Sequence, residues 1–138
     1  MSYWLAKTEP ETYSYADLVR LGRDRWNGVK NPVALKHLKN MQPGDLVFIY
    51  HTGKQKAIIG VAKVVSPPYP DPELNNPRFI VVDLQPEYLL PQPVTLKEIR
   101  ANPAFEDWVL VHQPRLSVMP VSREHWELVH KLSAATKP

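Results

Sequence analysis

The chain predicts an α+β domain built on a small curved sheet or barrel. Three observations predict it. Short apolar segments with strand periodicity recur along the sequence, short capped helical segments separate them, and the spacing carries no βαβ rhythm. A length of 138 residues suits one domain, assigned here to residues 1–135 with 136–138 as a tail. At 43% hydrophobic and 22% charged residues, the chain has the material for a core. No internal repeat is visible.

Tyr3-Trp4-Leu5-Ala6-Lys7 reads as the first strand, with Tyr3, Leu5 and Lys7 on one face and Trp4, Ala6 and Thr8 on the other. Glu9-Pro10 ends it. Residues 14–21 read as a short helix, capped by Ser14, with Asp17 in its first turn and Gly22 as its stop. Leu18 and Leu21 are expected to face the core. Arg20, Arg23 and Arg25 then lead into Trp26-Asn27-Gly28-Val29-Lys30-Asn31-Pro32. This stretch sets a large aromatic beside a glycine turn, followed by a cation and an amide. Asn31 is placed to cap the next helix, and Pro32 suits its first position, where no N–H partner is needed. Leu35, Leu38 and Met41 give that helix an apolar stripe.

After the Pro43-Gly44 turn, residues 45–51 form the strongest strand signal. They are apolar on both faces, so the strand is expected to be central, and it runs out into Tyr50, His51 and Thr52. Residues 57–65 read as a second buried strand, with Gly60 where two backbones or a bulge meet. Residues 67–72 hold four prolines and read as a rigid loop. Residues 79–84 read as a third, half-exposed strand. Pro91 and Pro93 then lead to a capping box at Thr95-Leu96-Lys97-Glu98 and a helix to Ala101. Asn102-Pro103 starts one more helical turn through Trp108. Residues 110–121 contain at least one strand, in which Arg115, Ser117 and Met119 share one face and Leu116 and Val118 the other. Ser122 caps a closing helix whose Trp126, Val129 and Leu132 pack inward.

Several function classes are disfavoured by composition. There is no cysteine, which excludes disulfides, thiol nucleophiles and cysteine–metal sites. No apolar run approaches the roughly 20 residues of a membrane span, and Met1-Ser2-Tyr3-Trp4 does not open a signal peptide. The expected location is therefore the cytoplasm of a bacterium or the nucleus of a eukaryote, not the exterior, with a monomer favoured. The histidines His37, His51, His112, His125 and His130 show no HExxH spacing, and no Gly-rich phosphate loop occurs. No metal, cofactor or catalytic residue is expected. Net charge is +3, and residues 1–60 carry the excess of Lys and Arg, a mildly basic face suited to an acidic partner.

The Trp26 stretch reads in two ways. Trp26 serves as a core tryptophan with Asn31 as a plain cap, or the two stand at a helix N-terminus that favours anions and hold one nucleobase and its phosphate. The residues alone leave both open.

Taken together, five ordered segments resemble a known family: residues 3–10, 26–31, 44–52, 62–72 and 113–121 match the EVE domain in order and spacing over about residues 2–132. The resemblance implies a PUA-like pseudo-barrel of about five to six strands with several short peripheral helices. It is similar to YTH domains, whose aromatic pockets bind a modified base. It implies a nucleic-acid-binding module that reads a modified base in DNA or RNA, single-stranded or flipped out of a duplex, without catalysis. The family's motifs map onto residues 7–10, onto Trp26 and Asn31, onto Tyr50, His51 and Thr52, and onto Arg115, Leu116 and Ser117. The implied binding residues are thus Lys7, Trp26, Asn31, Tyr50, His51, Thr52, Arg115 and Ser117. The chain departs from the family at Asn27, Lys30, Pro32, Val33, Thr52 and Pro114. These positions lie at the implied pocket rim, so the modification that is read stays open.

Two rivals remain. One is an enzyme acting on a modified nucleobase or nucleotide, for example base removal by His51 and Asp45. The zinc-deaminase signature fails without cysteine, and no nucleophile-elbow pattern surrounds Ser66 or Ser117. The other is a protein-interaction module using Tyr69, the proline loop and Trp108. An exposed apolar patch with Trp26 sealed in would favour it.

Overall fold

The computed structural model describes residues 1–135, so the expected tail at 136–138 lies outside the described residues. The elements in order are β1 (Tyr3–Thr8), α1 (Tyr15–Leu21), β2 (Asp24–Trp26), α2 (Pro32–Asn40), β3 (Leu46–His51), β4 (Ala57–Val64) and β5 (Tyr69–Pro70). Then come β6 (Ile80–Thr95), α3 (Leu96–Ala101), a 3-10 turn (Pro103–Phe105), α4 (Val109–His112), β7 (Val118–Val121) and α5 (Arg123–Ala134).

The strands form one mixed sheet in the order β2-β6-β4-β3-β1-β7, with β5 added to β6. Only β1 and β3 run parallel; Tyr3 pairs with Leu46 and Lys7 with Tyr50. The crossover between them carries α1, β2 and α2. The sheet curls around a core in which Leu5, Phe48, Ile49 and Val61 are fully buried. Trp126 of α5 closes one side of that core. It stacks on Phe48 at 3.9 Å and on Tyr3 at 4.5 Å between ring centroids.

Local chemistry explains the helices. Ser14 accepts from the Asp17 N–H and Asp17 answers to the Ser14 N–H, a complete capping box, and Gly22 ends α1 at φ +76°. Asn31 accepts from Val33 and Ala34 N–H at 2.8 and 3.2 Å, and Pro32 opens α2 as expected. Thr95 and Glu98 form the second capping box at α3. Gly60 sits where the backbone shifts register: an added Cβ would lie 2.9 Å from the Tyr15 ring and from the Tyr88 carbonyl.

Three expectations need correction. Leu21 does not face the core; it is 53% exposed. The third strand does not stop at Leu84. It continues through Pro86, Pro91 and Pro93 to Thr95. Leu89 pairs with Gly60 and Val94 with Ile58, so residues 90–93 loop out of the ladder and the last two prolines owe no strand N–H. Gln92 in that bulge instead exchanges hydrogen bonds with the Ser133 hydroxyl of α5. Finally, residues 110–121 hold a strand only at Val118–Val121; Leu110 belongs to α4 and Arg115 precedes the strand. Met119 is buried alongside Leu116 and Val118, so both faces of that segment are covered.

β2 and β7 are the two ends of the sheet path. Residues 27–31 lead from β2 into α2, which packs on both β6 and β7. The sheet is thus curled but not closed by strand pairing.

Candidate nucleic-acid interface

A cleft of about 600 Å³ opens beside these end strands. One wall is β2 and its continuation: Asp24, Arg25 and Trp26, then residues 27–30. The opposite wall is the end of β1, Lys7 and Thr8, with Glu9 beyond it and Ser117 just before β7. Thr12 and Tyr13 line a further side. Gly28 takes φ +81° at the turn, a conformation that suits glycine. Within this second wall, the Lys7 N–H donates to the Ser117 carbonyl at 2.8 Å.

Trp26 is both wall and core. It pairs with Val82 in the sheet and is only 7% exposed. The Tyr13 ring meets it nearly at right angles, with centroids 6.0 Å apart and planes at 85°. The Tyr13 hydroxyl donates to Asp24 Oδ2 at 2.7 Å. Burial raises the Tyr13 pKa well above its ordinary value, and the Asp24 bond raises it further, so the phenol keeps its proton.

The charges around the cleft differ in what they are free to do. Lys7 Nζ donates to the Pro114 carbonyl at 2.9 Å and lies 5.5 Å over the Tyr50 ring. Burial, with a smaller contribution from the Arg100 charge, lowers the Lys7 pKa below the usual lysine value. Arg25 is committed elsewhere. It donates to the Tyr69 hydroxyl at 3.3 Å and pairs with Glu73 at 3.4 Å and Asp71 at 3.8 Å. Tyr69 in turn donates to Asp83, which also holds Arg23 at 3.0 Å. Glu9 accepts from the Thr52 hydroxyl at 3.0 Å.

Of the eight residues singled out in the sequence, Lys7, Trp26 and Ser117 line this cleft. Asn31 and Arg115 line an adjoining hollow of about 370 Å³ with Val33 and residues 113, 114 and 116. The Lys7–Pro114 bond links the two. Arg115 is exposed and makes no hydrogen bond or ion pair among the described residues. The other three do not line either space. Tyr50 is buried beneath Lys7. Thr52 stands behind Glu9. His51 is 7% exposed and occupied on both ring nitrogens: Nε2 accepts from the Tyr15 N–H at 3.0 Å, and Nδ1 faces Gln55 Oε1 at 2.8 Å. His51 therefore splints β3 to the start of α1. Five of the eight thus line these two spaces, and they do not share one pocket.

Sequence reading missed Tyr13, Asp24 and Glu9 as cleft residues. Tyr13 and Asp24 meet only because α1 folds the chain back, so no local spacing announces the pair. Glu9 stood inside the opening motif but read as a strand terminator.

Among the described residues, no group of three or more His, Asp or Glu is arranged to hold a metal ion. No helix among them is long and apolar enough to cross a membrane.

The curled mixed sheet with its short peripheral helices is a PUA-like fold, with an aromatic-walled cleft beside its end strands. The EVE domain model matches residues 2–132, and the chain belongs to that family. A crystal structure of a protein from Agrobacterium tumefaciens superposes with a TM-score of 0.94 at 33% identity, covering 100% of this chain and 97% of that one. Human THYN1, crystallised in complex with DNA containing 5-methylcytosine, superposes with a TM-score of 0.91 at 28% identity over 99% and 100% of the two chains. Rat thymocyte nuclear protein 1 is 29% identical over 97% of this chain and 74% of its own length.

Proposed function

We propose that this domain is a nucleic-acid reader that takes one modified base into the Trp26 cleft and carries out no chemistry on it. The observation that supports this most is the cleft itself. Its volume of about 600 Å³ is of the size that small ligands occupy, and one wall is a tryptophan held rigidly by the sheet. Stacking a base on an aromatic contributes roughly 1–3 kcal/mol. The related human THYN1 complex with 5-methylcytosine DNA supports the same ligand class. Arg115 and the α2 N-terminus border the adjoining hollow, where a neighbouring phosphate would lie. Because a base must leave its stack to enter, single-stranded or flipped nucleotides are the expected form.

The rivals have less support. Asp45 is buried and accepts from Trp4 Nε1, Ser2 N–H and Gln42 N–H, which makes it a brace. It precedes β3 while His51 ends it, so about six strand residues, roughly 20 Å, separate the pair proposed for base removal. The interaction-module reading relied on Trp108 and Tyr69; Trp108 is 3% exposed and Tyr69 is bound into the Arg25–Asp83 network.

The test is a binding screen of short single-stranded DNA and RNA, each carrying one modified base, against the wild type and Trp26→Phe. Tighter binding of at least one modified oligonucleotide than of its unmodified twin supports the proposal. Uniform affinity across the panel would refute it.

A further inference from the structure

We infer that the cleft selects its base through an exocyclic amine, with Asp24 and Glu9 as the groups that accept from it. This inference rests on the base-reading function proposed above and specifies its ligand: an amino-bearing base, as opposed to thymine or uracil.

Ser117 and Thr12 carry hydroxyls, which donate or accept and so discriminate little. The Tyr13 hydroxyl donates its proton to Asp24. Arg25 is spent on Tyr69, Glu73 and Asp71. Among the side chains of the lining residues, the one-way acceptors are the carboxylates of Asp24 and Glu9. Ionised carboxylates only accept. Asp24 takes the Tyr13 hydroxyl on Oδ2 and the Arg25 N–H on Oδ1, which fixes its plane and leaves a second lone pair on each oxygen. Glu9 Oε2 takes the Thr52 hydroxyl, while Oε1 has no hydrogen-bond partner among the described residues.

A base that brings an amine to these oxygens satisfies them on entry. Asp and Glu accept in this way from the cytosine N4 amine. Thymine brings a carbonyl oxygen to the same place and leaves a desolvated carboxylate facing another acceptor, which costs affinity. Lys7 and Lys30, whose ammonium groups only donate, line the same cleft. They complement the acceptor that stands beside the amine on cytosine and adenine.

The matched pair that tests this is 5-methylcytosine against thymine, which carry the same methyl group and differ at the amine-or-carbonyl position. Identical single-stranded oligonucleotides with one or the other at a central site are titrated against the wild type, Glu9→Gln and Asp24→Asn. The amide at position 24 still accepts from Tyr13, and Glu9 is exposed, so Glu9→Gln decides the matter if Asp24→Asn melts early. Further arms carry N6-methyladenine and a modified guanine. The expected result is at least tenfold tighter binding of the 5-methylcytosine strand, or of a purine strand bearing an amine, than of the thymine strand. In the variants that preference should fall to within about threefold. Equal wild-type binding of all strands would overturn the inference. So would a preference that both variants leave intact. A wild type that binds no modified strand better than its unmodified twin would instead overturn the base-reading function itself.

Discussion

Tyr13 and Trp26 meet edge to face, 6.0 Å between centroids, and the Tyr13 hydroxyl is pinned on Asp24. The contact joins the segment before α1 to the end of β2. It makes Trp26 a fixed surface, and one that the core also depends on. Trp26→Ala therefore costs both stability and binding. A truncated buried tryptophan loses roughly 3–5 kcal/mol of stability, and the lost stacking adds roughly 1–3 kcal/mol of affinity. Thermal melting and oligonucleotide titration of the same sample separate the two. Although Trp26 stands beside a glycine turn, its sheet pairing and burial mean that its removal does not leave the fold intact. Trp108→Phe, on the groove with His125, is the control that leaves binding unchanged.

Arg115→Ala should weaken binding without changing the melting temperature. Arg115 is exposed and makes no hydrogen bond among the described residues, so nothing in the fold is lost. If it meets a phosphate, the slope of log K against log salt becomes shallower by about one unit. Lost affinity with an unchanged slope would place Arg115 on a base edge instead.

Lys7 gives a pH signature. Its pKa lies below the ordinary lysine value because burial disfavours the ammonium. The cation is present below that lowered pKa and lost above it. Affinity for an anionic strand should therefore decline on the alkaline side before ordinary lysines titrate. Lys7→Met should bind more weakly at neutral pH and lack that early decline; a titration of affinity against pH checks both.

His51→Ala should destabilise the domain by roughly 1–3 kcal/mol, because the Tyr15 N–H loses its acceptor in a buried place. Affinity of the folded protein for oligonucleotide should stay within about twofold. A His51→Ala domain with normal melting and no binding would return His51 to the interface.

The features read correctly from sequence are those with local causes. Ser14, Asn31 and Thr95 announced their helices because a cap needs only its own next three residues. Residues 45–51 announced a central strand because both faces are apolar, and β3 spans Leu46–His51. The features misread have causes elsewhere in the chain. Prolines 91 and 93 read as a lead-in to the α3 capping box, yet they belong to β6, whose ladder omits them where it bulges against Gly60. His51 looked like a pocket group because it ends a strand, but the start of α1 covers it. Asp24 gave no signal of its own, because only the fold brings Tyr13 to it. Trp26 could not be assigned to core or cleft from its neighbours, because in the structure it serves both.

The most direct measurement of the central claim leaves the protein unaltered. The four tryptophans give separate indole N–H resonances in a nitrogen-correlated NMR spectrum. Titration with a single-stranded oligonucleotide carrying one modified base should shift the Trp26 indole and the backbone amides of Lys7, Gly28 and Ser117. The Trp108 indole and the His125 amide should stay still. Shifts at the Trp108 groove with a silent Trp26 would contradict the account.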